Sequence, residues 1–360
     1  MFLQIYQTYI VKNFLLIVLK TSLVFLSLII IMGIFEELSF FAQLDVKFYL
    51  PIILVLMNSL SVLYLIFPFI FLIGAQFFFI KILESNELIA FKSFGLSNNK
   101  ILNIVAVTSF LAGIIIISVF YNLSAVLKFK YIDLKNAYTL DNRYLASITE
   151  NGLWIKDEKD KMVFFINADT ISANKLENVD ILVFDGNFTL SKTIFSEEVD
   201  ISNKEWIMNE ALIVGIDGNR ELVKNYSFFS NFDYMKINNL YSDLSALTIF
   251  DLIKLRKDYK SVQYSTTEID IHIKRLISYP FFLTVMTIFS SIIMLNIKHQ
   301  KPKIFYTLGG VLISVLIYYI NFFFIALGKN EQIPIMLSIW LPIIILSIIS
   351  LIGTARLNEK

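Results

Sequence analysis

A chain of 360 residues in which 56% are hydrophobic and only 17% charged cannot clothe itself in polar surface as a soluble protein of that size must. A formal net charge of +1 leaves no global electrostatic case for nucleic acid, and the absence of Cys excludes disulfides and thiolate metal sites. With two histidines, His272 and His299, a histidine-rich metal centre is excluded too, and no metal or other cofactor is expected.

Met1 to Asn13 is a short lead carrying one lysine. Phe14 to Phe35 is apolar except for Lys20, and about 22 residues at 1.5 Å each cross a bilayer core of about 30 Å. Lys20 lies within two turns of the start of that run, where its head can snorkel to the interface. The run is too long for a signal-peptide core and no small-x-small cleavage pattern follows it, so a retained anchor is expected, ended by Glu36-Glu37. Phe48 to Ile80 is charge-free for 33 residues and contains Pro51 and Pro68. The expectation is a tilted or interfacial lead-in over 48–57, then a span from Ser59 to Ile80 kinked at Pro68.

Lys81 to Lys100 reads KILESNELIAFKSFGLSNNK. Leu83, Leu88, Phe91 and Phe94 fall at roughly helical spacing, with Glu84, Glu87 and Lys92 around them. Gly95 is placed to close the helix as a C-cap glycine, and Leu96–Ser97–Asn98 turns the chain toward the next span. A short amphipathic helix between two spans is a docking element, because a partner that grips it moves both spans. A plain solvated loop helix is the competing reading. Ile101 to Leu127 is a third charge-free run.

From Lys128 to Arg275 the chain changes character and holds 42 of the 61 charged residues. Short apolar runs appear at Leu153–Ile155, Val163–Ile166, Ile181–Phe184, Phe188–Leu190, Ile207–Met208 and Leu212–Ile216. Turn signals lie at Asn151-Gly152, Asp185-Gly186 and Asp217-Gly218. This spacing predicts an antiparallel sandwich or jellyroll-like sheet. From Ser245 the period becomes helical, with Thr248 and Asp251 at capping-box spacing, and a second helical stretch, Glu268–Arg275, leads toward the next apolar run. Leu276–Ile297, Ile304–Gly328 and Gln332–Ala355 are three more charge-free runs of span length.

The reading is an α-helical membrane protein with six transmembrane helices and an inserted antiparallel β domain of jellyroll-like type. Residues 1–127 hold the first three spans with the connecting helix at 81–97. Residues 128–275 hold the β domain with its helical return, and residues 276–360 hold the last three spans. If the N-terminus is cytoplasmic, the cytoplasmic short segments carry Lys12, Lys81, Lys92, Lys100, Lys298, Lys301, Lys303, Arg356 and Lys360, against Lys47 and Lys329 opposite. That bias places both termini and the 81–97 helix inside and the β domain outside.

The chemistry that is missing narrows the function. There is no GxxxxGK[ST], GxSxG or HExxH, so no catalytic residue is assigned and the chain hydrolyses no ATP by a P-loop. Scattered acidic residues of the β domain read as solvated surface, and His272 beside Lys274 and Arg275 reads as interfacial. Apart from Lys20 the predicted spans contain no charge, which argues against an ion or proton relay. Smooth apolar walls suit a lipid-like cargo, and they suit plain anchoring equally.

Ser85–Ser97, SNELIAFKSFGLS, resembles the coupling-helix signature of the LptF/LptG permeases through Glu87, Leu88, Ala90, Gly95 and Ser97. Gly152-Leu153-Trp154, Trp206, the His272, Leu276 and Pro280 series and Trp340-Leu341-Pro342 agree in order, so the resemblance covers essentially the whole chain. It implies one half of an ABC-type lipopolysaccharide extractor in the inner membrane. Its partners would be a second LptF/LptG-type permease, a cytoplasmic LptB-type ATPase dimer, and LptC-like and LptA-like periplasmic proteins. By the resemblance Glu84, Glu87, Leu88, Ala90, Phe91, Gly95 and Ser97 form the ATPase-coupling site. Glu36-Glu37 looks closer to LptG than to LptF. The family's expected cations near the outer end of the first span are replaced here by acidic residues, with Lys47 the nearest lysine. Candidate cargo contacts are Lys47, Phe164 and Phe184. A membrane-anchored structural or regulatory protein whose external domain binds a partner is the alternative, and a lipid-modifying enzyme is a third reading that lacks a catalytic cluster.

Overall fold

A computed structural model describes residues 5–42, 46–136, 138, 153–159, 162–172, 174–186, 188–234, 237, 243–261, 266–295 and 303–358. The chain divides into two compact units, Met1–Lys128 with Thr267–Lys360, and Phe129–Thr266. The first is helical: α1 Ile5–Phe40, α2 Tyr49–Glu84, α3 Glu87–Ser93, α4 Asn98–Ile115 and the start of α5 Asn122–Asn136, which continues past Lys128 into the second. A π-helical turn, Ile116–Tyr121, joins α4 to α5. The second unit holds β1 Leu153–Lys159, β2 Met162–Ser172, β3 Lys175–Phe184, β4 Leu190–Asp200, β5 Glu205–Gly215, β6 Arg220–Phe229 and α6 Ile249–Ser261. The chain then returns to the first unit through α7 Thr267–Leu295, α8 Lys303–Lys329 and α9 Ile335–Asn358.

Among the described residues six helical stretches are long and apolar enough to cross a membrane. The first three outrun the expected spans, and α1 and α2 show how. α1 has 36 residues, about 54 Å at 1.5 Å per residue, well beyond a bilayer core. It therefore includes the lead and continues past Glu36-Glu37, with Glu37 buried rather than ending the helix in water. α2 likewise absorbs the stretch around 48–57 in one helix, because Pro51 sits in its first turn, where a missing N–H costs nothing.

Lipid is as apolar as leucine, so the bundle cannot be held by hiding leucines from it. Close helix approach and hydrogen bonds do that work instead. Gly113 of α4 meets α7 so closely that a Cβ there would lie 2.8 Å from Pro280 Cα. The Ser290 hydroxyl donates across helices to the Leu72 carbonyl (2.6 Å), and the Tyr279 hydroxyl to the Tyr64 carbonyl (2.7 Å). The Tyr64 and Tyr279 rings stack with centroids 4.8 Å apart, and Tyr121 tilts against Tyr64 at 5.1 Å. Tyr121, the last residue of the π turn, bonds His272 Nε2 at 2.9 Å. These contacts tie α2, α4 and α7 together, and α7 is the most buried span. Gln76 is wholly buried beside Gly310 of α8, a polar group the apolar reading of these spans passed over.

The six strands form one antiparallel sheet in sequential order, β1 to β6. Alternation supplies its core: Leu176, Val179, Ile181 and Val183 of β3 point one way, Ile194 and Val199 of β4 join them, and Trp206 and Met208 of β5 complete the layer. The sheet is rolled. Four strand spacings separate β2 from β6, roughly 19 Å in a flat sheet, yet the Phe164 and Phe228 rings lie 5.1 Å apart. A buried carboxylate fastens the roll: Asp157 of β1 accepts from Ser230 Oγ, Asn231 N and Asn231 Nδ2, each at 2.8 Å. The indole N–H of Trp206 donates to the Phe232 carbonyl at 2.8 Å.

The strands are longer than the short runs read from the sequence. Ile207–Met208 and Leu212–Gly215 belong to one strand, β5, and β6 was not expected at all. Phe188 lies in a turn at φ 62°, so β4 starts at Leu190 and not at Phe188. Asn151-Gly152 lies outside the described residues. The capping box at the second unit's helix is present: Thr248 Oγ1 and N donate to Asp251 Oδ2, and Asp251 N donates back to Thr248 Oγ1.

Candidate functional site

The stretch between α2 and α4 is a helix shorter than the 81–97 reading. Lys81 to Glu84 are the last turn of α2, closed by Ser85, whose N and Oγ both donate to the Lys81 carbonyl at 2.9 Å. Asn86 then adopts a left-handed conformation, φ 56°, one of the few side chains that tolerates it, and this breaks the helix. α3 starts afresh at Glu87, an acidic residue in a first turn where the free N–H groups favour it, and carries Lys92 in its last turn.

The far end closes as the sequence indicated. Gly95 takes φ +78°, Leu96 N donates to the Phe91 carbonyl and Gly95 N to the Lys92 carbonyl. That pair of bonds is a Schellman motif, with Leu96 buried beneath it. Ser97 caps α4 by accepting from Lys100 N at 3.3 Å.

Glu84, Glu87, Leu88, Ala90, Phe91, Gly95 and Ser97 are thus gathered on one short connection. Its faces differ from the predicted stripe. Leu88 and Phe91 are half-buried, whereas Phe94 is 84% exposed and Ile89 60% exposed. The 3.6-residue spacing fails at Phe94 because α3 has already ended there, and it fails upstream because Asn86 interrupts it.

The inner face of α3 rests on α1. The Tyr9 ring meets Phe91 edge-on at 6.4 Å, and the Glu87 carboxylate lies beside its hydroxyl. One turn on, Asn13 accepts from Lys81 Nζ at 3.0 Å while its amide donates to the Tyr9 carbonyl at 3.1 Å. Sequence reasoning missed Tyr9, Asn13 and Ile89. The i, i+4 spacing of Tyr9 and Asn13 marks a shared helix face, but nothing local says what meets it.

The three candidate cargo contacts do not converge. Lys47 is exposed in the helical unit, its ammonium 5.9 Å from the Tyr49 ring centroid. Phe164 faces the sheet core against Phe228. Phe184 pairs with Val163, one position over in register, and so faces away from that core toward Phe165 and Phe188. Among the described residues no group of three or more His, Asp or Glu side chains is arranged to hold a metal ion.

The residues that carried the resemblance have structural work. His272 bonds Tyr121, Leu276 is buried, and Pro280 forms the close crossing with Gly113. Trp206 fills the sheet core, and Trp340 meets Phe281 at 5.4 Å. Trp154 is half-exposed on the outer face of β1. Compared with known families, residues 8–356 match one described as lipopolysaccharide export system permease LptF/LptG. No curated protein matches the chain.

Proposed function

The chain belongs to the LptF/LptG family of lipopolysaccharide export permeases, and from that premise we propose that α3 is where a separate ATPase drives it. The family is a transport permease, and the six apolar helices make this member a multi-pass membrane protein. In the proposed reading this chain pairs with a second LptF/LptG-type permease, and an LptB-type ATPase dimer grips α3 from the cytoplasm. The lipid then passes to the sheet domain, and onward to LptC-like and LptA-like proteins. The excess of lysine and arginine in the short segments around α3 supports placing it, with both termini, in the cytoplasm and the sheet in the periplasm.

The observation that carries this reading is the two-faced seating of α3. Ile89 and Phe94 project outward, as an apolar anchor for a partner's groove must. Phe91 packs inward on Tyr9 of α1 with Glu87 beside the Tyr9 hydroxyl, and the ends of α3 run into α2 and α4. A push on α3 therefore reaches three spans at once. α1 and α8 bury the least of their surface within the chain, which leaves them to meet the second permease and the lipid.

Glu87→Lys replaces an attraction to the Tyr9 hydroxyl with a misplaced cation. It is expected to lower lipid export from proteoliposomes by about tenfold, the scale of one lost interaction of a charged group. Tyr9→Phe is expected to give a smaller loss in the same direction. Unchanged ATPase assembly and unchanged export in both Glu87→Ala and Glu87→Lys would overturn the coupling role.

A further inference from the structure

The helix α6 carries a second surface that the transport reading leaves unused. At 100° per residue, Phe250, Ile253, Lys254, Lys257 and Lys260 fall within an arc of about 120°. All five are exposed, Phe250 at 78% and Ile253 at 55%. On the opposite face Leu252 and Leu255 are buried. The first-turn carboxylate, Asp251, is held by the Thr248 cap at the edge of the stripe. The free stripe is therefore two large apolar side chains interleaved with three ammonium groups.

That combination matches one environment well. Lysine stems lie along apolar surface while their heads reach for phosphate, and Phe and Ile enter the boundary between headgroups and acyl chains. The chain keeps such a surface close by. Ser261 ends α6 and Thr267 opens α7, a membrane span, so the six steps between them reach at most roughly 20 Å. We propose that α6 lies on the headgroup surface of the membrane that the chain itself spans, with Phe250 and Ile253 inserted and Lys254, Lys257 and Lys260 on anionic phospholipid. The proposal needs only that α7 crosses the membrane and does not depend on the coupling role of α3.

The native chain has no Cys, which makes a single-site probe direct. Ile253→Cys and, as a control on an exposed turn of the same unit, Ile216→Cys are labelled with a polarity-sensitive fluorophore in the full-length protein. Each is placed in nanodiscs of phosphatidylcholine alone or of phosphatidylcholine with phosphatidylglycerol. The expected result is a blue shift at 253, quenching there by spin-labelled lipid, and protection from aqueous iodide that increases with phosphatidylglycerol. The 216 probe stays in water in both. Changing Lys254, Lys257 and Lys260 together to Gln is expected to abolish the phosphatidylglycerol-dependent part of the protection and leave the 216 signal as it was. Equal iodide quenching at 253 and 216 in both lipid mixtures overturns the proposal. So does protection at 253 that arises only when lipopolysaccharide is added, which would make the stripe a cargo contact, or only when a partner protein is added.

Discussion

The helical unit and the sheet unit use the same amino acids in opposite places. In the sheet, Trp206, Ile181 and Val199 are inside and Lys175 and Glu198 pair at the surface. In the helices, Leu312, Leu316, Phe322 and Phe323 are outside, while Gln76, Thr287, Ser290 and Ser291 are fully buried. Water drives the first arrangement by expelling apolar surface, whereas lipid offers no such drive and leaves the second to close approach and interhelical hydrogen bonds. Truncating a large aromatic side chain should therefore have unequal consequences in the two units.

The largest expected effect is in the sheet. Trp206→Ala removes a fully buried indole and its bond to the Phe232 carbonyl, and should cost about 3–5 kcal/mol. Phe323→Ala, an aromatic truncation at an outward-facing position of α8, should leave the stability of the single chain within about 0.5 kcal/mol. Denaturant-dependent proteolysis of the full-length protein in detergent, resolved by fragment, compares the two. Similar losses would erase the contrast.

A smaller effect of opposite sign in volume is expected in the bundle. Gly113→Leu puts side-chain atoms where Pro280 Cα already lies, and its obstacle is backbone, which cannot swing aside. Overpacking of this kind costs about 1–3 kcal/mol and should appear as a lowered melting temperature of the detergent-solubilised protein, with the sheet's proteolysis pattern unchanged. Smallest is Tyr279→Phe, which removes the bond to the Tyr64 carbonyl and keeps the ring stack. Interhelical bonds in membranes average about 0.6 kcal/mol, so a shift near the limit of detection is expected, and a large one would mean that the stacked tyrosines do more than hold helices.

The same contrast explains what could be read from the sequence. Spans were legible because a bilayer demands long charge-free runs, and α7 and α9 required nothing subtler. Local chemistry was legible too: the Thr248–Asp251 box and Gly95 each declare a helix end within four residues. The ends of α1 were not, because Glu36-Glu37 reads as a boundary in one dimension and Glu37 is buried in three. β6 was missed because its strand, RELVKNYSFF, is largely exposed, so its pattern is polar where a core strand's would alternate. The break at Asn86 turned one expected helix into two, and an asparagine in a left-handed conformation leaves no periodic trace. Tyr9 and Glu87 are 78 positions apart, and no local pattern links them. Of the candidate site, then, a short helix between two spans was legible, while the face it turns outward and its seat on α1 were fixed by tertiary contacts.

The most direct test of the central claim is co-purification on α3's outward face. The tagged protein, wild type and Ile89→Glu/Phe94→Glu, is purified from detergent-solubilised membranes and the co-purifying chains are identified by mass spectrometry. The account predicts that wild type brings down a second six-span permease and a P-loop ATPase, and that the double variant keeps the permease and its melting temperature but loses the ATPase. Retention of the ATPase by the double variant, or its absence from the wild-type complex, would contradict it.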